Sequence, residues 1–334
     1  MPPKRLSAAQ YVTGILGGTR TVLGRAITLV ESTLPADQAL AQEVLQAVLP
    51  HTGRSLRVGI TGVPGVGKST FIEALGRYLV ETMGKKLAVL AVDPSSQRGG
   101  GSILGDKTRM PWLSAHPAAF IRPSPAAGSL GGVARATREA LLLCEAAGHE
   151  VIFVETVGVG QSETTVHGMV DFFLLLMLAG AGDELQGLKR GIMEMADALC
   201  ITKADQGNEQ AARRARVEYQ SALHLFPPAP SGQVQPVLLT SAVSGTGVAE
   251  VWQVIEDYAA ATQQNGYFPL RRQQQQLQWL HESIAQELET RFYADGAVRA
   301  RLPAVQQAVA AGQLTPFAAA TELLGLPGGL TGPE

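Results

Sequence analysis

The segment Gly62–Ser69 constrains the fold of this chain more than any other part of the sequence. Its residues, GVPGVGKS, fit the pattern G-x-x-x-x-G-K-[S/T]. That pattern works between a strand and a helix, because the glycines turn successive backbone N–H groups inward and the helix N-terminus adds its dipole. An apolar run ends at Ile60 and a helical pattern begins near Lys68. The segment therefore predicts a loop that binds the phosphates of a nucleoside triphosphate, within an α/β fold.

Short apolar runs recur from Leu56 onward, and helical patterns separate most of them. Continuously apolar strands that alternate with helices predict a mostly parallel sheet covered on both faces. We expect strands at Leu56–Ile60, Leu87–Val92, Ala119–Ile121, Val151–Val154, Phe172–Leu178, Ala198–Ile201 and Val237–Leu239. We expect helices at Lys68–Met83, Gly132–Ala147 and Asn208–Leu225, and another after Gly247.

Helical patterns without strands stand on either side of this α/β region. Three short patterns precede a break at Pro50–Gly53, and after Pro269 apolar residues recur every three or four positions along one helix stripe. The stripe consists of Leu277, Leu280, Ile284, Leu288 and Phe292. We therefore expect an N-terminal helical region at residues 1–52, a P-loop domain at 53–265 and a C-terminal helical region at 266–334.

The composition argues against several classes of function. The chain has 334 residues, of which 46% are hydrophobic and 17% charged, and its net charge is −2. Because there is no basic excess, the sequence predicts neither a nucleic-acid partner nor a membrane partner. The longest apolar run, Phe172–Ala179, is shorter than the about 20 residues that a membrane-spanning helix needs. The two cysteines, Cys144 and Cys200, predict buried thiols in a reducing compartment, and we expect a cytoplasmic protein.

The positions of the phosphate-binding loop have distinct expected roles. Lys68 is expected to bridge the β and γ phosphates as a catalytic residue, and Ser69 to bind Mg²⁺. Thr70 follows directly and is expected near the α phosphate. The predicted nucleotide-binding residues of this part of the chain are Gly62, Val63, Pro64, Gly65, Val66, Gly67, Lys68, Ser69 and Thr70.

A second motif, Thr202–Asp205, follows a predicted strand and indicates which base is bound. In GTPases a strand-end [N/T]-K-x-D segment recognises guanine, since the carboxylate accepts from N–H groups that adenine lacks, and the lysine stem covers the base. Asn is usual where this chain has Thr202, so the fine geometry stays open. We expect Lys203 and Asp205 to bind the base, with Ser241, Ala242 and Val243 from a later strand-end loop. The alternative is that Asp205 caps a helix.

Acidic residues follow two of the predicted strands. Asp93 and Glu155 are expected to hold Mg²⁺ directly or through water, and to take part in catalysis, because an acid at the end of a buried strand needs a partner. Asp106 is a third candidate ligand, for which a helix N-cap is an equally good interpretation. Gly158, shortly after Glu155, is expected to contact the γ phosphate as a switch residue.

These motifs and their surroundings resemble the methylmalonyl-CoA mutase-associated GTPases of the MeaB/ArgK type, which belong with the metallochaperone-related P-loop GTPases. The segments that carry the resemblance are GITGVPGVGKSTFIEALG at 59–76, VLAVDPSS at 89–96, GGSILGDKTRM at 100–110, IRPSPAAGSLGGVARATRE at 121–139, VETVGVGQSE at 154–163 and AGAGDELQGLKRGIMEMAD at 179–197. The resemblance runs from about residue 20 to 260. The C-terminal region is similar only in its helical pattern of apolar and polar residues.

The resemblance implies a function that the spacing of residues does not show. Members of this family hydrolyse GTP to GDP slowly and bind an adenosylcobalamin-dependent mutase, by default methylmalonyl-CoA mutase. They gate the delivery of its cofactor and protect it from inactivation. They are typically homodimers whose C-terminal helices form the dimer arm. Their additional switch loop matches Ala181–Arg190, so Asp183, Gln186 and Lys189 are expected switch residues.

Three other functions stay open: a P-loop kinase, a metal-insertion GTPase of the same group, and a nucleotide-gated scaffold without catalysis. No kinase catalytic loop is evident, and the histidines and cysteines form no metal-binding pattern. The residue that positions the attacking water is also open, since Val159 follows Gly158 where many signalling GTPases have Gln. We expect slow intrinsic hydrolysis that a partner completes. Arg98, Arg109 and Lys189 are candidates for stabilising charge at the γ phosphate.

Overall fold

The computed structural model describes residues 5–92, 109–123, 130–156, 162–180, 190–205 and 207–326. Within these residues seven strands form one sheet in which all neighbouring strands are parallel. They are β1 (Leu56–Gly62), β2 (Leu87–Val92), β3 (Ala119–Arg122), β4 (Val151–Thr156), β5 (Phe172–Leu178), β6 (Ala198–Thr202) and β7 (Val237–Leu239). Their order is β3-β2-β4-β1-β5-β6-β7, which places β1 in the middle.

Helices connect the strands and precede and follow the sheet along the chain. The helices before β4 are α1 (Ala8–Leu16), α2 (Arg20–Glu31), α3 (Pro35–Val48), α4 (Lys68–Glu81), α5 (Pro111–Ala115) and α6 (Leu130–Ala146). Those after it are α7 (Ser162–His167), α8 (Arg190–Met195), α9 (Glu209–Leu223), α10 (Val248–Gln264), α11 (Tyr267–Ala294), α12 (Gly296–Ala310) and α13 (Pro316–Leu324).

The two faces of the sheet bury separate apolar clusters. On one face, strand residues such as Val154 pack with α6 and with Ile27 and its neighbours on the three N-terminal helices. On the other face, strand residues pack with Phe71 of α4 and Trp252 of α10. Strands covered on both sides bury every side chain, which is why their sequences are continuously apolar instead of alternating. The N-terminal helices therefore share a core with the sheet.

This architecture confirms the expected α/β fold with a mostly parallel sheet, N-terminal helices and C-terminal helices. Each predicted strand lies within an observed strand, and four of the strands extend further than expected, to Gly62, Arg122, Thr156 and Thr202. The extensions of β1 and β6 matter for function, because they carry residues of both predicted motifs onto the carboxyl edge of the sheet.

The chain divides into two compact units, Met1–Arg272 and Gln273–Glu334. The second unit has its own small core, in which Val305, Ala319 and Leu323 are buried and Phe292 packs against them. The division of the chain into three functional regions stays a prediction. None of the helices in the described part of the chain is both long and apolar enough to cross a membrane.

Candidate functional site

The backbone of Gly62–Ser69, named here the phosphate loop, has the conformation that its glycines allow. The loop connects the end of β1 to α4, which begins at Lys68. Gly65 and Gly67 have φ angles of 79° and 93°, a region that residues with a side chain rarely adopt. A Cβ atom on Gly62 would lie 2.5 Å from the carbonyl oxygen of Leu176 on the neighbouring strand. The loop therefore requires glycine at these positions.

Lys68 folds back over the phosphate loop. Its Nζ donates to the carbonyl oxygens of Gly62 at 2.7 Å and Val63 at 3.4 Å. Burial lowers the pKa of Lys68, an effect that the negative charges of Glu155 and Glu163 oppose and the positive charge of Arg109 reinforces. The ammonium group thus lies in a partly desolvated position, where electrostatic interactions are stronger than in water.

Glu155 lies beside the phosphate loop, near the end of β4. In the parallel pairings it is level with Ile60 of β1 on one side and with Ala91 of β2 on the other. Its carboxylate is buried, and its Oε1 accepts a hydrogen bond from the Ser69 hydroxyl at 3.2 Å. A hydroxyl and a carboxylate oxygen at this distance are ligands that Mg²⁺ prefers. The described residues contain no group of three His, Cys, Asp or Glu side chains that could hold a metal alone.

The segment Thr202–Asp205 reaches the phosphate loop through its first two residues. The Thr202 hydroxyl donates to the carbonyl oxygen of Val66 at 2.7 Å, with the Met177 carbonyl oxygen as a second acceptor at 3.3 Å. The Lys203 Nζ donates to the carbonyl oxygen of Gly65 at 2.8 Å. Lys203 has a φ of 56°, the only positive value among non-glycine residues in the described ranges.

Asp205 pairs with the loop that follows β7. Its carboxylate accepts a hydrogen bond from the Ser241 hydroxyl, and Ser241 Oγ accepts one from the Ser244 N–H at 3.1 Å. The N-cap of α9 is Asn208, so the helix-cap interpretation of Asp205 has no support here. Ala242 is half-buried, whereas 76% of Val243 is exposed. The predicted base-binding residues thus lie together, with the Asp205 carboxylate oriented by Ser241.

Several predicted site residues lie outside the described part of the chain. They are the metal-ligand candidates Asp93 and Asp106, the switch candidates Gly158, Asp183, Gln186 and Lys189, and the charge-stabilising candidate Arg98. Arg109 is described and exposed, and its charge acts on Lys68. The described residues that were predicted to bind the phosphates, the metal and the base lie next to one another along the carboxyl ends of β1, β4, β6 and β7.

The sequence analysis missed the contacts of two acidic residues, Glu163 and Glu73. Glu163, only 1% exposed, contributes negative charge to Lys68. The Glu73 carboxylate accepts from the backbone N–H groups of Trp112 at 2.7 Å and Leu113 at 3.3 Å, and so holds the start of α5 against α4. Glu163 lies within the VGQSE stretch of the sequence, which was the available signal for it. Glu73 lies within the quoted segment 59–76, but nothing local in the sequence pointed to its contact with α5.

Comparison with known proteins agrees with this geometry. The family model described as methylmalonyl Co-A mutase-associated GTPase MeaB matches residues 23–297. A probable GTPase of Mycobacterium tuberculosis is 51% identical over 312 residues, which cover 93% of each chain. GTPase ArgK of Escherichia coli is 48% identical over 287 residues, 86% of each chain. The crystal structure of an LAO/AO transport system kinase is similar with a TM-score of 0.74 and 39% identity, covering 95% of this chain and 96% of that one. The chain therefore belongs to the methylmalonyl Co-A mutase-associated GTPase MeaB family and is a P-loop GTPase.

Proposed function

We propose that the protein is a GTPase chaperone of an adenosylcobalamin-dependent acyl-CoA mutase, with methylmalonyl-CoA mutase as the expected partner. In this proposal the nucleotide state gates delivery of the cofactor to the mutase and protects the mutase from inactivation. The family description supports the mutase partner. One observation carries the nucleotide-dependent part: the phosphate loop, Glu155 and the Asp205–Ser241 pair lie along one edge of the sheet. A cytoplasmic location stays a prediction from the sequence.

The phosphate loop and Lys68 are proposed to bind the triphosphate. Backbone N–H groups between Gly62 and Ser69 would face the phosphate oxygens at the start of α4, where the helix dipole favours negative charge. The Lys68 ammonium would exchange the neutral carbonyl oxygens of Gly62 and Val63 for charged oxygens of the β and γ phosphates. Thr70, exposed on the first turn of α4, would lie near the α phosphate.

The pair Asp205–Ser241 is proposed to read guanine. A carboxylate accepts from the N1–H and N2–H₂ groups of guanine, and adenine offers no such pair of donors. Because Ser241 donates to one carboxylate oxygen, the carboxylate is oriented before the base arrives. Lys203 would cover one face of the base with its stem, and the backbone of Ala242 and Val243 would contact the opposite edge. Base selectivity in this proposal rests on Asp205.

Ser69 and Glu155 fit a Mg²⁺ ion that accompanies GTP. Their oxygens already lie within hydrogen-bonding distance, and both are the hard ligands that this ion prefers. In the proposal they hold the ion together with Asp93 and Asp106. The ion would neutralise charge on the β and γ phosphates. The catalytic set is then Lys68, Asp93 and Glu155.

Hydrolysis is proposed to be slow in the isolated protein and faster with the mutase. Lys68 stabilises charge, but no residue within the described ranges stands out as the one that positions the attacking water. The partner would complete this arrangement through the switch residues Gly158, Asp183, Gln186 and Lys189. The nucleotide state would thereby depend on whether the mutase is bound.

The decisive experiment measures GTP turnover with Mg²⁺ in the purified protein, with and without a cobalamin-dependent mutase. We expect slow turnover of GTP and not ATP, a rise with the mutase, and loss in Lys68→Ala. No response to any acyl-CoA mutase would contradict the chaperone proposal. Equal use of ATP would contradict the role of Asp205. Phosphate found on an acceptor instead of in solution would favour a P-loop kinase, the activity for which the similar transport system kinase is named.

We further propose that the protein is a homodimer that uses one face of α11. Leu277, Leu280, Ile284 and Leu288 recur every three or four residues on this helix, and their side chains are 53%, 55%, 47% and 46% exposed. A row of half-exposed leucine and isoleucine side chains indicates a surface that another helix covers. The same face of a second copy of this chain is the proposed occupant, because it presents a row of the same spacing.

The dimer is tested by sedimentation of the wild-type chain and of Leu280→Glu, at matched concentrations. We expect the wild type to sediment as a dimer and Leu280→Glu as a monomer, because a carboxylate in an apolar interface is costly. Leu225→Glu is the control, since Leu225 is 81% exposed and lies outside this row. A monomeric wild type, or equal dimerisation of both variants, would contradict the proposal.

A further inference from the structure

We propose that Glu73, on α4, is a positioning residue for GTP hydrolysis, which fixes the start of α5 and so holds the guanidinium of Arg109 near the triphosphate. This role rests on the nucleotide site proposed above. Glu73 is not among the expected nucleotide contacts, and its position favours Arg109 over the other candidates for stabilising charge at the γ phosphate.

The start of α5 has no capping side chain of its own. The side chain of its N-cap residue, Met110, makes no capping hydrogen bond, and Pro111 at the first helical position has no N–H. The first N–H groups of the helix therefore belong to Trp112 and Leu113, and they need an acceptor from elsewhere. Glu73 supplies it, because one carboxylate oxygen accepts from the Trp112 N–H at 2.7 Å and the other from the Leu113 N–H at 3.3 Å.

Two further positions on the same face of α4 contact α5. Gly76 and Arg77 follow Glu73 by three and four residues, the spacing that places side chains on one face of a helix. A Cβ atom on Gly76 would lie 2.7 Å from Leu113 Cδ1, so the glycine leaves room for this fully buried side chain. The Arg77 guanidinium lies over the Trp112 ring, 5.4 Å from its centroid. One face of α4 therefore holds the start of α5 by a carboxylate, a gap and a cation.

The residues around the end of α5 are held as well. Arg20, the first residue of α2, donates to the carbonyl oxygens of Ser114 at 3.0 Å and His116 at 3.3 Å. At the other end Met110 is only 1% exposed and belongs to the apolar core. The block from the N-cap to the end of α5 is therefore fixed on both sides, and Arg109 is joined to it directly in the chain.

The helix that holds α5 also carries part of the phosphate-binding site. α4 begins at Lys68, and the hydroxyl of the next residue, Ser69, donates to Glu155 at 3.2 Å. Glu73 lies four residues after Ser69, which corresponds to about 6 Å along the helix axis. Because a helix is a stiff connection between its successive turns, an α5 that is bonded to Glu73 has a defined position relative to Lys68.

The charge of Arg109 acts at the phosphate-binding site from this position. Arg109 is exposed, and its positive charge adds to the effect of burial in lowering the pKa of Lys68. Two cations that lie near each other without an anion repel each other, and a triphosphate would relieve this repulsion. A guanidinium stabilises the charge that spreads over the phosphoryl oxygens during transfer. Its effect depends on where its backbone is held, and Glu73 holds the neighbouring backbone.

The experiment measures kcat and KM for GTP, and the affinity for GDP, in the full-length chain with Mg²⁺. We expect Arg109→Ala to lower kcat by about tenfold or more, and Glu73→Ala by about three- to tenfold. KM and GDP affinity should stay within about twofold of the wild type, because the stabilised charge develops in the transition state. In the double variant kcat should equal that of Arg109→Ala alone, because Glu73 acts through Arg109.

Controls separate this role from a loss of fold. Glu43→Ala removes an acid from an exposed position of α3 and should leave kcat unchanged. Thermal unfolding reports what Glu73→Ala costs the fold, and a merely structural role would lower kcat equally with and without Arg109. If Glu73→Ala does not fold, Glu73→Gln provides the same comparison alone and with Arg109→Ala, because the amide keeps one acceptor oxygen and loses the other.

Three results would overturn the inference. The first is a wild-type kcat in the folded Glu73 variant or in Arg109→Ala. The second is an equal loss of kcat from the Glu73 variant in the presence and absence of Arg109. The third is a parallel loss of GDP affinity, which would make Glu73 a support of the whole nucleotide site. Failure of the proposed function looks different, because the wild type would then not hydrolyse GTP, or Lys68→Ala would hydrolyse it unchanged.

Discussion

The two edges of the central sheet use charged side chains in opposite ways. At the amino edge, the buried Asp171 carboxylate accepts from Arg272 at 2.7 Å on each oxygen and from the Arg57 backbone N–H at 2.8 Å. Arg272 also donates to the carbonyl oxygens of Gly53 and Ser55, both at 2.6 Å. At the carboxyl edge, the hydrogen bonds of the Lys68 ammonium within the described residues go to loop carbonyls, and the charges of Glu155 and Glu163 act on it through space.

The difference shows how one layer of strands serves two purposes. Charged side chains that pair with each other stabilise the fold and have no hydrogen-bonding capacity left for a ligand. A cation such as Lys68, whose hydrogen bonds within the described residues go to neutral carbonyl oxygens, keeps its capacity for a phosphate. Four predictions follow from this comparison. Disruption of the amino edge should lower the free energy of unfolding, and disruption of the carboxyl edge should lower GTP turnover or affinity.

The largest effect on stability is expected for Arg272→Ala. The substitution leaves the Asp171 carboxylate buried without its cation, which typically costs about 3–5 kcal/mol of unfolding free energy. Urea unfolding measures this loss, and GTP turnover per folded molecule should stay near the wild-type value. Arg291→Ala is the control, because Arg291 pairs with Glu287 on an exposed helix surface, where such pairs contribute at most about 0.5 kcal/mol. Unchanged stability together with lost turnover would contradict the contrast between the edges.

Lys68→Ala should do the reverse. Without the ammonium group, charge on the transferred phosphoryl group loses a stabilising partner, and turnover should fall by about 10²- to 10³-fold. The unfolding free energy should change by less than about 1 kcal/mol, because the hydrogen bonds of Lys68 within the described part of the chain go to neutral carbonyls. Lys86→Ala, at an exposed position just before β2, is the matched control. Wild-type turnover in Lys68→Ala would show that hydrolysis occurs elsewhere.

Asp205→Asn tests the base-reading part of the carboxyl edge. The amide cannot accept from both guanine donors as a carboxylate does, so GTP affinity should fall by about 10²-fold. Xanthosine triphosphate, which carries an oxygen where guanine carries the N2 amino group, should bind the variant better than it binds the wild type. Fluorescence competition measures both affinities. The exposed Asp257→Asn serves as control, and an equal loss for both triphosphates would argue against direct base recognition.

The smallest effect concerns His167, which packs edge-on against Phe173 with ring centroids 5.6 Å apart. Burial lowers the pKa of His167 to about 4, and the positive charge of Arg271 adds to this shift. In the unfolded chain, His167 takes up a proton below about pH 6.5, whereas in the folded chain it does so only near pH 4. The free energy of unfolding therefore decreases as the pH falls through this range.

At pH 5 this contribution is about 1–2 kcal/mol, after allowance for partial exposure. His167→Gln should therefore show a smaller drop in urea midpoint between pH 7 and pH 5 than the wild type. The exposed His51→Gln should keep the full drop. Identical pH dependence in the wild type and His167→Gln would contradict a neutral, half-buried His167.

Much of the fold and part of the site were predictable because their determinants are local. Glycine at positions 62, 65 and 67 follows from backbone angles within one turn of chain. The strands were visible as apolar runs because burial on both faces leaves no polar positions in them. Asp205 and Ser241 were both expected at the base, because each lies in a segment that follows a predicted strand and matches a base-binding segment of GTPases.

Other features were not predictable, because they depend on contacts between distant positions. The acceptor of the Thr202 hydroxyl lies 136 residues away, and the Arg272–Asp171 pair spans 101 residues. Neither partner changes the local pattern around the other. The Glu73 contact with the start of α5 was missed for the same reason, since an acid on a helix surface indicates only solvent exposure.

By itself, the sequence determined that this chain folds around a parallel sheet with a phosphate loop at its centre, because backbone freedom and apolar burial act over a few residues. Only the tertiary structure decided which carbonyl the Thr202 hydroxyl holds, which charges are paired, and which remain available to a nucleotide. A hydrogen bond or ion pair depends on distance and burial. Those quantities exist only once the strands have been placed side by side.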